Sequence, residues 1–85
     1  MDHLHYEFNL NASDSVKVSL AKQANIRLMD STNYQYYKSG RAHQFYGGLA
    51  KTSPFIVNPP HAGKWHIAID LGGYSGRISA TVNII

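Results

Sequence analysis

At 85 residues the chain is long enough for one domain, residues 1–85, which buries about 60–65% of its unfolded surface and so needs an efficient core. It has no cysteine, which excludes disulfides and thiolate metal sites and fits a reducing compartment. Basic residues outnumber acidic ones by 8 to 5, but they are scattered without a run, which argues against nucleic acid as the main partner and leaves a weak nucleic-acid binder as an alternative.

The N-terminal stretch carries Asp2, His3, His5, Glu7 and Asp14 with no apolar signal-peptide core. No segment approaches the roughly 20 apolar residues of a membrane-spanning helix. Met1 therefore reads as a natural start, and a cytoplasmic protein with no membrane partner is expected.

The first element is a strand. Leu4, Tyr6, Phe8 and Leu10 alternate with His3, His5, Glu7 and Asn9, so one face is apolar and the other wet. A break at Asn11–Ser15 precedes a second alternating run, with Val16, Val18 and Leu20 around Lys17 and Ser19. After Lys22–Ala24, Ile26 and Leu28 flank Arg27 in a third.

Asp30 follows at a position suited to capping or a turn. Thr32 and Gln35 have the spacing of a capping box, and Gly40 suits a left-handed stop, so Asn33–Lys38 is predicted as a turn or two of helix. Short strands are expected near His43–Leu49 and at Phe55–Val57, the latter started by Pro54. Beyond Pro59, Pro60 and Gly63, Trp65, Ile67, Ile69 and Leu71 alternate with Lys64, His66, Ala68 and Asp70. Ile78, Ala80, Val82 and Ile84 do the same with Arg77, Ser79, Thr81 and Asn83. The glycines between these two runs, Gly72, Gly73 and Gly76, predict a hairpin. The sum is an all-β chain: a two-layer antiparallel β-sandwich or jelly roll with one short helical turn.

Three constellations bear on function. His3 and His5 share a strand face, and His66 points outward on its own strand, so a metal could be held by His3, His5 and His66, with Glu7 or Asp70 completing the set. The competing reading is solvent-facing histidines, because the HxH pattern is common and no ligand stands at a diagnostic interval. Catalysis finds no support: there is no Gly-x-Ser-x-Gly, no cysteine nucleophile and no paired carboxylates. Gly47-Gly48 and Gly72-Gly73 read as turns or bulges rather than phosphate loops. The chain is therefore expected not to be an enzyme and to need no cofactor.

The Tyr34–Tyr46 segment is the richest. It interleaves aromatic rings with cations and offers Tyr36, Lys38, Arg41, His43 and Tyr46 as a binding surface for a protein, small molecule or glycan. Its alternative is packing, with Tyr34 and Tyr37 at helical spacing covering the end of the core. Trp65, alternating with Ile67 and Ile69, belongs in the core.

Asn25–Asp30, Asn33, Tyr37, Gly40, His43 and Tyr46-Gly47-Gly48 resemble a known family of small bacterial domains, DUF1883. Ser53-Pro54, Pro60–His66, Gly73–Gly76 and Leu4-His5-Tyr6 extend the likeness over nearly the whole chain. The resemblance implies a jelly-roll-type sandwich related in shape to the CUB-like fold. It also implies a domain found alone or attached to a Toll/interleukin-1 receptor (TIR) domain, hence a sensing or recruiting module. It carries no known site residues. A homo-oligomer through edge strands is compatible with any of these readings.

Overall fold

The computed structural model describes residues 3–74 and 76–85. Its elements in chain order are β1 (Leu4–Leu10), β2 (Val16–Leu20), β3 (Ala24–Met29), α1 (Ser31–Lys38), β4 (Tyr46–Ala50), β5 (Phe55–Val57), β6 (Gly63–Asp70) and β7 (Ala80–Ile84). The strands form two antiparallel sheets, one ordered β1-β6-β3-β4 and the other β5-β2-β7. Alternation explains how they meet. Val16 and Val18 from the three-stranded sheet pack with Ile26, Leu28, Trp65, Ile67 and Ile69 from the four-stranded sheet in one continuous core. Each such buried side chain contributes about 1.5–3 kcal/mol relative to exposure. Trp65 is 3% exposed, as its period predicts, and its indole N–H donates to the His61 carbonyl at 3.1 Å.

Helix α1 is set by its ends. Asp30 is the N-cap, its carboxylate accepting from the Asn33 amide at 2.8 Å. The capping role thus belongs to Asp30 and not to the Thr32–Gln35 pair, and the helix begins two residues earlier than predicted. At the other end the Gly40 amide donates to the Tyr37 carbonyl and the Arg41 amide to that of Tyr36. With Gly40 at φ 74° this is a Schellman stop, and the glycine is there because the left-handed position penalises a Cβ.

Two further expectations are corrected. The predicted hairpin between Trp65–Leu71 and Arg77–Ile84 does not form: β6 lies between β1 and β3, whereas β7 pairs with β2 in the opposite sheet. Both edges of β6 are already occupied, so the loop after it must cross the sandwich. Nor is the polar face of β6 wet beyond Lys64. Helix α1 lies on the outside of the four-stranded sheet instead of over the end of the core, packing on β6 and β3. It buries Ala68, Met29 and Tyr34 in a second, smaller cluster with Tyr37 against it. His66 is 6% exposed and Asp70 0%. The strand predicted near His43–Leu49 begins at Tyr46, and the residues before it form the return from the helix.

Candidate functional site

The register of the four-stranded sheet sets Asn25 opposite Asp70 and Arg27 opposite Ala68 on the outer face. Asp70 accepts from the Arg27 Nε at 3.1 Å, the Asn25 Nδ2 at 3.0 Å, the Tyr37 hydroxyl at 2.6 Å and the Gly72 amide at 2.8 Å. Burial alone pushes this carboxyl up, but the hydrogen bonds, Tyr37's foremost, outweigh it and hold it below the usual carboxylate range. Burial, and then the same contact, push the Tyr37 phenol far above its ordinary value. Arg27 is held further by the ring of Phe45, 4.7 Å below its guanidinium, and by an Nη1 donor to the His43 Nε2 at 3.4 Å. Asp70 therefore ties the end of β6 to β3, to the helix and to the loop that follows it.

Nearer the N-terminus of α1, His66 bonds the Ser31 hydroxyl through Nε2 at 2.9 Å and the His5 Nε2 through Nδ1 at 2.8 Å. The Tyr34 ring stacks on both imidazoles, with centroids 4.2 Å from His5 and 4.7 Å from His66. Its hydroxyl meets the His3 Nε2 at 3.0 Å. Burial lowers the pKa of both His5 and His66; repulsion from His66 adds to the shift at His5, and Glu7 partly offsets it at His66.

The histidines proposed as metal ligands thus share one face, but His5 and His66 turn their nitrogens toward each other. Among the described residues no group of three His, Cys, Asp or Glu side chains is disposed to hold a metal ion.

Of the five residues proposed as a binding surface, Tyr36 and Arg41 meet each other, while Lys38, His43 and Tyr46 each contact other rings. Arg41 lies over the Tyr36 ring at 4.9 Å, and Lys38 over that of Tyr34 at 4.8 Å. His43 packs on Tyr37 and Phe45 beside Arg27. Tyr46 faces the core side of the sheet, edge-on to Trp65 at 6.1 Å.

A different concavity lies at the end of the sandwich where β3 starts and β6 stops. It has a volume of about 430 Å³ and is bounded by the turn before β3, by β4 and by the loop after β6. Its walls include Leu49, 50% exposed on edge strand β4, Tyr74, 84% exposed, and Leu71. Lys22 and Arg77 stand in the same lining. Asn25 and Gly72, two of the four groups that Asp70 anchors, form part of it, so the buried knot fixes the cleft floor. A second hollow of about 240 Å³ shares Lys22 and Gln23 and adds Lys51. Sequence reasoning missed this site because its residues come from segments far apart in the chain. The one available signal was that the Gly72–Gly76 loop is longer and richer in glycine than a hairpin needs.

The family DUF1883, a domain of unknown function, matches residues 1–85, the whole chain. No curated protein and no solved structure matches it. No helix among the described residues is long and apolar enough to cross a membrane.

Proposed function

The chain belongs to the DUF1883 family over its whole length, and from its own geometry we propose that it is a binding module that takes its ligand in the cleft between the β2–β3 turn, β4 and the loop after β6. One observation carries this reading: exposed apolar side chains, Leu49 and Tyr74, share a cleft of about 430 Å³ with two cations on an anchored floor. That volume falls in the range of small-molecule sites, which combine apolar walls with a few placed polar groups. Large side chains left in water at a concave surface mark an interaction site more often than scattered ones do. Variable loops on a fixed scaffold are where binding residues concentrate.

The tightly held polar groups support binding over catalysis. Asp70, Arg27 and Tyr37 spend their hydrogen bonds on one another and prop the floor. A cysteine-free domain of this kind suits a sensing or recruiting role in the cytoplasm.

A thermal-shift screen of small organic molecules tests the reading, with Leu49→Asp and Tyr36→Ala/Arg41→Ala as companions. At a hundredfold excess over Kd a ligand stabilises by about 2.7 kcal/mol. Compounds that raise the melting temperature of the wild type and the Tyr36/Arg41 variant, but not Leu49→Asp, are expected. Compounds lost with Tyr36 and Arg41 and retained in Leu49→Asp would contradict it.

A further inference from the structure

We infer that the cleft selects small organic anions, with Lys22 and Arg77 holding a carboxylate, sulfonate or phosphate group while an apolar body lies on Leu49, Leu71 and Tyr74. This rests on the cleft being the ligand site, and charge inventory takes it further. The chain has five acidic residues, and four lie among the described ones.

Each of those four is committed elsewhere. Glu7 pairs with Lys64 at 3.3 Å. Asp14 accepts from the Asn11 amide, and Asp30 caps α1. Asp70 is the one that approaches the cleft; it is wholly buried and bonded to Arg27, Tyr37, Asn25 and Gly72. Lys22 and Arg77 therefore meet no acidic partner among the described residues. Lys51 in the adjoining hollow adds a third positive charge at the same end.

Unpaired cations beside a concave apolar wall raise the local concentration of anions and strengthen hydrogen bonds to them as water is displaced. Two cations at one cleft match a single anionic group, whereas a nucleic acid presents phosphates in series along its backbone. Arg77 brings a planar fork that carboxylate and phosphate fit in bidentate fashion, and Lys22 a point charge. The apolar walls then set the shape of the remainder.

Two fluorescent probes of nearly equal shape separate the contributions: 8-anilinonaphthalene-1-sulfonate, which is anionic, and N-phenyl-1-naphthylamine, which is neutral. Both are titrated into the wild type, Lys22→Gln/Arg77→Gln and Leu49→Asp, with circular dichroism confirming the fold of each. Lys22, Arg77 and Leu49 are exposed, so none of these changes removes core packing.

The sulfonate is expected to bind the wild type with one-to-one stoichiometry. It should lose at least about tenfold in affinity in the double variant, the scale of a lost charge-assisted hydrogen bond, and weaken in high salt. The neutral probe should be indifferent to both changes and weakened by Leu49→Asp. Equal sulfonate affinity in wild type and double variant would overturn the anion preference and leave the cleft reading standing. Failure of both probes to bind the wild type would overturn the cleft reading and this inference together.

Discussion

Asp70 shows how one side chain can be both hidden and charged. It is wholly buried, yet four donors surround it, and its pKa lies below the ordinary 3.8. The folded carboxyl holds its proton more weakly than the unfolded one, so its contribution is complete above the unfolded pKa and is lost as pH falls through the lower folded value. Asp70→Asn is expected to lower stability at pH 7 by about 3 kcal/mol, the low end for breaking a buried pair, because Arg27 keeps some access to water. In acid titration followed by circular dichroism, the variant should also lose much of the wild-type fall in stability below pH 4.

The His5–His66 pair acts in the same direction, in a higher pH window, although here it is the neutral form that the fold favours. Both are held below the ordinary 6.5 by burial, so unfolding takes up protons as pH approaches that value, and stability declines from pH 7.5 to pH 5.5. Melting temperatures should fall over that window in the wild type and fall less in His66→Gln. The sequence put both residues on the wet side of their strands by alternation. It could not show that a helix would cover His66 and Asp70, since period alone does not say what packs on a face.

Among the elements, edge strand β4 approaches its neighbour closely at one glycine. Gly47 has φ 126°, and a Cβ there would run into the Ile26 carbonyl oxygen of the neighbouring strand. Gly47→Ala is therefore expected to cost on the order of 1–3 kcal/mol, since both the backbone conformation and the close approach resist a side chain. For a domain of this size each kcal/mol lowers the melting temperature by about 4–8 °C, which calorimetry would read directly. Gly47-Gly48 read as turn or bulge in the sequence; the structure gives the reason for at least the first glycine as contact with β3. Strand existence was legible wherever apolar and polar residues alternate in the sequence, as in β1, β2, β3, β6 and β7; β4, with Gly47 and Gly48 in place of side chains, was legible only in outline. Strand pairing was less so. The strong alternation of Trp65–Leu71 and Ile78–Ile84 suggested a hairpin, but each strand's apolar face is satisfied equally well by belonging to opposite sheets.

At the scale of the whole molecule, the topology gathers what the sequence keeps apart. The turn before β3, the end of β4 and the loop after β6 meet at one end of the sandwich, bringing Lys22, Leu49 and Arg77 to one cleft. No spacing rule links these positions. The Tyr34–Tyr46 segment looked like a site because its aromatics and cations are adjacent in the chain. In three dimensions Tyr34 and Tyr37 pack against the four-stranded sheet, and Tyr36 lies under Arg41.

Amide NMR during titration with 8-anilinonaphthalene-1-sulfonate measures the central claim most directly. The account predicts saturable shifts at Lys22, Asn25, Leu49, Gly72 and Arg77, with Tyr36, Arg41 and His43 unmoved. Shifts confined to the helix and its return loop, with the cleft silent, would contradict it.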